Sequence, residues 1–105
     1  MRCFEKIAVN GNVITCSNLL QCGAVRALRE RGRVAVLRPD GFVEFYEAVD
    51  KGNVVCLKKI GLGNEYMIGE GDVVVAKAWI DADYWRELQG RGVRALVMPV
   101  FSSSK

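Results

Sequence analysis

"RALRERGRVAVLRP" (residues 26–39) and "RELQGRGVRALVMP" (residues 86–99) obey one pattern, R-x-L-x-x-R-G-x-x-x-x-x-x-P, sixty positions apart. Arg26 matches Arg86, Leu28 matches Leu88, Arg31 matches Arg91, Gly32 matches Gly92 and Pro39 matches Pro99. Each stretch opens with helical spacing, meets a glycine where a helix ends in a left-handed residue, and continues as an alternating strand. A helix that docks on a sheet and reverses into a strand needs these residue types for local reasons. The repeat therefore speaks first to architecture, and it predicts an α+β domain in which a helix-to-strand element recurs.

Working outward, "FEKIAVNGNVITCSN" reads as a hairpin about Asn10-Gly11, because both central residues of such a turn must tolerate positive φ. Ser17 or Asn18 can cap the helix that follows, in which Leu20, Ala24, Ala27 and Leu28 share a face and Arg26, Arg29, Glu30 and Arg33 lie largely opposite. Gly32 is the expected left-handed terminator. "RVAVLRP" is a strand and Pro39-Asp40-Gly41 a turn. Residues 42–50 are ambiguous, since "FVEF" alternates like a strand while "FYEAVDKG" suits a short helix. "NVVCLKKI" is a strand, "GLGNEYMIGEG" a loop or loose hairpin, and "DVVVAKAWI" a buried strand. Asp81 or Asp83 starts a helix, and "VRALVMPVF" is the last strand, with an exposed edge. The expected fold is a small mixed sheet with two or three helices. Residues 1–60 form a hairpin-helix-strand lobe and 61–105 a strand-helix-strand lobe, the two sharing one core.

Half of the 105 residues are apolar, enough for a core without a metal, and the longest purely apolar run is too short to span a bilayer. "MRCFEK" has no apolar leader, so the expected location is the cytoplasm, with no membrane partner. Arginine and valine abundance with only two glutamines leans toward a thermophile. The four cysteines, Cys3, Cys16, Cys22 and Cys56, form no C-x-x-C pair. They read as small buried hydrophobes or, alternatively, as one or two intracellular disulfides of the hyperthermophile kind.

The sequence contains no histidine, which removes histidine-based nucleophile activation, acid–base work and metal ligation. No cofactor or metal site is expected. Asp40, Glu44 and Lys77 resemble part of a Mg²⁺ nuclease motif (Pro-Asp, then Asp/Glu-x-Lys), but Val75 stands where the second acid belongs. Asp40 is more simply the turn residue before Gly41, and Lys77 an edge or snorkelling lysine. The glycines of "GLGNEYMIGEG" lack the G-K-[ST] of a phosphate loop. Glu65, Glu70 and Asp72 could face a basic partner or only water. The net charge is +3, and the first 61 residues hold ten Lys/Arg against six Asp/Glu. Five arginines fall within residues 26–38. Arg26, Arg29, Arg33 and Arg38, with Lys58 and Lys59, are thus the candidate RNA- or partner-binding face; a merely solvated helix face is the plain alternative.

"VNGNVITCSNLLQCGAVRALRERGRVAVLRPDGFVEFYEAVDKGNVV" resembles the N-terminal lobe of archaeal tRNA-splicing endonuclease subunits, with "YEAVDKGNV" as its short final helix. "DYWRELQGRGVRALVMPV" is similar to the helix-to-strand entry of their nuclease-fold lobe. The resemblance implies a structural, non-catalytic subunit, because that family cleaves with a tyrosine, a histidine and a lysine and no histidine is present here. It implies assembly with a catalytic protein subunit into a hetero-oligomer that handles tRNA or another RNA. The interface residues would be Val93, Leu96, Met98, Val100 and Phe101 on the last strand, together with Glu65, Glu70 and Asp72. The chain departs from the family in lacking an acidic hairpin after "MPVFSSSK". A small Mg²⁺-dependent nuclease and a stand-alone nucleic-acid-binding module are the competing expectations.

Overall fold

Asn18 caps the first helix, α1 (Leu19–Glu30), its side-chain oxygen accepting from the Gln21 amide. Asp81 caps α2 (Ala82–Gly90) through the Tyr84 amide at 2.8 Å. Short oxygen-bearing side chains suit this position because the first helical amides have no partner within the helix. The computed structural model describes residues 1–100. Besides the helices they form seven strands: β1 (Arg2–Glu5), β2 (Val13–Cys16), β3 (Arg33–Leu37), β4 (Phe42–Asp50), β5 (Val54–Asn64), β6 (Val73–Ala76) and β7 (Ala95–Pro99).

All seven join one sheet in the order β1-β5-β4-β3-β6-β7-β2. β3, β6, β7 and β2 run parallel, while β4, β5 and β1 continue the sheet antiparallel. The helix α1 carries the chain from β2 at one edge across β7 and β6 to β3, whereas α2 links the neighbours β6 and β7. The fold is α+β with a mixed sheet, as the sequence predicts. β6 shows why: all four of its residues are buried. Val73 and Val75 pack in the cluster beneath α1, and Val74 and Ala76 in the one beneath α2. A parallel strand covered on both faces reads as an unbroken apolar run, which is what "VVVA" is.

The two repeated turns meet at one place. In the first, the Gly32 amide reaches back to the Ala27 carbonyl at 3.1 Å, and Arg31 takes the left-handed conformation (φ 57°). In the second, Val93 reaches Leu88 at 3.1 Å and the left-handed residue is Gly92 (φ 91°). Both are the same helix-closing motif, displaced by one residue between the copies. Gly32 is therefore not the left-handed terminator. It is a contact residue: a methyl group built on it would overlap the carbonyl oxygen of Gly71. The Gly71 amide in turn donates to the Gly92 carbonyl at 2.9 Å. The loop before β6 is thus clasped between both turns. Gly32→Ala is expected to cost about 2 kcal/mol by forcing this backbone contact apart. A urea midpoint unchanged from wild type would refute that packing role.

Several local expectations fail for non-local reasons. β1 and β2 are not a hairpin; β1 pairs with β5 and β2 with β7, at opposite edges of the sheet. The two-residue Asn10-Gly11 turn does not form: Gly11 alone is left-handed (φ 97°), and the chain merely bends there and runs on across the fold. Residues 42–50 are strand, and so is the start of "YEAVDKGNV", which the resemblance made a helix. β5 extends to Asn64 and supplies a partner for every residue of β4, with a bulge opposite Phe45/Tyr46. The ladder overrides a weak helical tendency. Only Glu65–Met67 of the expected loop forms a turn of 3₁₀ helix. The cysteines are paired rather than free: Cys3–Cys56 ties β1 to β5, and Cys16–Cys22 ties the end of β2 to α1.

Candidate nucleic-acid interface

The arginine run does not make one open face. Arg26 lies 5% exposed, its Nε donating to the Gly11 carbonyl at 3.2 Å and its Nη1 paired with Glu30. Arg29 donates to the Val9 carbonyl and the Asn10 side chain. These two side chains hold the segment between β1 and β2 against α1, so the helix face expected to be solvated is partly covered by the chain's own loop, with Arg26 buried and Arg29 still exposed. Arg33 forks onto Asp72 at 2.8 and 3.3 Å, donates to the Met67 carbonyl, and lies 4.0 Å from the centroid of the Phe45 ring. Its partner Asp72, expected at a subunit surface, is 2% exposed. That acid is an internal brace and not a partner contact.

The expected interface strand is also displaced inward. β7 lies between β6 and β2, so it has no free edge, and Val93, Leu96 and Met98 belong to the core beneath α2. Val100 is exposed; Phe101 lies outside the described residues. Glu65 accepts from the Tyr84 hydroxyl at 3.1 Å, and Glu70 is exposed. The structure therefore scatters these residues between the core, the loop and the surface.

Three cations that the sequence separates do converge. A recess of about 320 Å³ on the α1 side is lined by Arg2, Lys59 and Lys77 with Glu44, Tyr46 and Leu20. Its geometry follows from strand register. Glu44 and Tyr46 are two apart on β4 and share a face, with Tyr46 directly opposite Lys59 on β5. Arg2 arrives on β1 at the far side of β5, and Lys77 follows the last residue of β6. A second recess of about 230 Å³ lies between the end of β3 (Leu37, then Pro39) and the end of β6 (Ala76, then Trp79 and Ile80); Lys77 and Arg38 line it too. Lys77 belongs to both. The pair occupies the carboxyl ends of two parallel strands, the usual place for a ligand in such sheets.

The electrostatics are fixed by Glu44. It accepts from the Tyr46 hydroxyl at 2.6 Å and from Arg38 Nη1 at 3.0 Å, with Lys59 Nζ 3.9 Å away. The Tyr46 hydrogen bond first, then the positive charges of Lys59 and Arg38, hold its carboxyl below the ordinary range. Burial and Glu44 together push the Tyr46 phenol up to about 12. Arg38 also binds Asp40 at 2.6 Å. The Asp40 carboxyl is held low chiefly by the Phe42 amide at 3.0 Å, so Asp40 is the turn residue that the Pro-Asp-Gly sequence suggests.

Glu44 and Lys77 thus share a recess, as a nuclease motif would have them, but Asp40 is bound to Arg38 and its own turn. Val75, in the position of the second acid, is fully buried beneath α1. Among the described residues no group of three acids or cysteines is placed to hold a metal ion. What the mouth offers instead is charge and rings. Arg2, Arg38, Lys59 and Lys77 stand against Asp40 and Glu44. Phe42 lies exposed beneath the Arg38 guanidinium at 5.9 Å, and Trp79 is 54% exposed at the second recess. Lys58 is exposed on the opposite face of β5 from Lys59. Of the expected basic residues only Arg38 and Lys59 belong to this mouth. Arg2, Lys77 and Trp79 complete it, and no local pattern announces them.

No helix among the described residues is long and apolar enough to cross a membrane. Comparison of the chain with protein-family models, with curated proteins and with solved structures finds no match.

Proposed function

We propose that this chain is a non-catalytic, RNA-contacting structural subunit of a cytoplasmic RNA-processing assembly, in keeping with the tRNA-splicing endonuclease resemblance. The observation that supports it is the mouth at the ends of β3 and β6. There Arg2, Arg38, Lys59 and Lys77 outnumber Glu44 and the Asp40 that Arg38 binds, with exposed Phe42 beside Arg38 and exposed Trp79 lining the second recess. Single strands are gripped by this combination, with phosphates on the cations and bases on the rings. The Arg26–Arg33 segment serves the fold instead. A catalytic partner would dock on the exposed apolar residues near the end of the β4–β5 ladder, Ile60, Leu62, Tyr66 and Met67.

Binding of a fluorescent single-stranded RNA, followed by anisotropy and by Trp79 emission, tests the reading. With three phosphate contacts the affinity should fall with salt at a log–log slope of about −2. Lys59→Ala and Lys77→Ala should each flatten that slope by about 0.7. Arg29→Ala should leave it unchanged. Binding indifferent to Lys59 and Lys77, or RNA cleavage by the chain alone, would overturn the proposal.

A further inference from the structure

The α1-side recess differs from an open basic groove in its depth and its donor set. Tyr46 and Leu57 form its floor and belong to the core packing beneath α1, and Leu20, in the first turn of α1, gives it a wall. Arg2 and Lys59, from adjacent strands, and Lys77, from beyond β6, supply the donors. We propose that this recess receives a terminal phosphomonoester of single-stranded RNA, an inference that rests on the RNA-binding reading above and narrows its ligand.

Two features favour a chain end over an internal phosphate. The first is charge. Arg2, Lys59 and Lys77 against Glu44 leave two positive charges in excess among the side chains that line the recess. An internal phosphodiester carries one negative charge, whereas a terminal phosphomonoester carries about 1.5 to 2 near neutral pH. Glu44 is already counted as ionised, held so by the Tyr46 hydrogen bond, Lys59 and Arg38, and has no further negative charge to offer. The second is donor count. A monoester has three non-bridging oxygens and a diester two, and three cationic side chains converge here. Arg2 presents a planar fork suited to two oxygens, and the lysines serve as point charges. The adjoining recess, reached past Lys77, lies where the first nucleotide would meet Trp79.

The test uses one short RNA sequence with a 5′-phosphate, with a 3′-phosphate, or with hydroxyls at both ends. One phosphorylated form should bind about tenfold tighter than the hydroxyl form, an added charge-assisted contact being of that order. The advantage should shrink as pH falls through the phosphate's second pKa, about 6, where the end loses one of its two charges. Lys77→Ala should abolish it and Lys77→Arg should restore most of it, the side chain being exposed and outside the core. Equal affinities for all three RNAs, with the Lys59- and Lys77-dependent salt slope intact, would overturn this inference and leave the RNA-binding reading standing. No binding of any RNA would overturn both.

Discussion

Opening the Cys3–Cys56 disulfide lowers the free energy of unfolding by about 4 kcal/mol, close to twice the loss from opening Cys16–Cys22. The difference follows from the chain each bond encloses. Cys3 and Cys56 are 53 residues apart in sequence and Cys16 and Cys22 only six. A crosslink restricts the unfolded chain more when it closes a longer loop. A domain of this size commonly has 5–15 kcal/mol in all, so the first loss is a large share. The measurement is urea unfolding of the Cys3→Ala/Cys56→Ala and Cys16→Ala/Cys22→Ala pairs, each beside the oxidised parent. Equal destabilisation of the two pairs, or a parent indifferent to dithiothreitol, would contradict it. The first bond also bears on binding. β1 has four residues and pairs only with β5, through the register Arg2↔Leu57 and Cys3↔Cys56. Releasing that strand withdraws Arg2 from the recess, so the Cys3/Cys56 variant should also bind RNA more weakly, and the Cys16/Cys22 variant should not.

What could be read from the sequence divides along the range of the interactions responsible. The capping residues Asn18 and Asp81, the helices behind them and the run "VVVA" depend on near neighbours or on a strand covered on both faces. All are visible in a window of a dozen residues. The pairing of β2 with β7 joins residues more than eighty apart, and nothing within "NGNVITC" distinguishes it from half of a hairpin. "FYEAVDKG" is a strand because β5 extends to meet it, and that length is hidden in the glycines of "GLGN". The candidate site suffers most. Arg2 and Lys59 come from two strands and Lys77 from just beyond a third, and only the sheet order brings them together. The arginines that look most like a grip, Arg26, Arg29 and Arg33, are those the fold consumes, since backbone carbonyls and Asp72 compete for them. The repeat at residues 26–39 and 86–99 was legible as two helix-to-strand turns. That both turns clasp Gly71 was not, because a one-residue displacement of the left-handed position leaves no trace in the aligned letters.

Arg33→Ala destabilises the fold by about 3 kcal/mol, because it strands the Asp72 carboxylate. Asp72 is almost wholly buried and receives three donors: Arg33 Nε, Arg33 Nη2 and the Gly69 amide at 3.0 Å. Losing the guanidinium leaves a buried charge with a single backbone donor, a situation that commonly costs 3–5 kcal/mol. The lower end applies here, since Arg33 is itself 38% exposed and water can follow where it leaves. The same residue also loses its bond to the Met67 carbonyl and its place on the Phe45 ring. Arg33→Lys keeps the charge but neither the fork nor the flat face, so it should recover only part of the loss. Arg33→Ala/Asp72→Asn removes the stranded charge and should be more stable than Arg33→Ala alone. Arg29→Ala, which gives up bonds to Val9 and Asn10 at the surface, should cost nearer 1 kcal/mol. Hydrogen exchange gives the local signature: the Arg94 amide, bonded to the Asp72 carbonyl at 2.8 Å, should lose protection in Arg33→Ala before the centre of β6 does. If Arg33→Ala and Arg29→Ala prove equally mild, Asp72 is not braced by Arg33, and the run from Arg26 to Arg33 regains its claim to be a binding face.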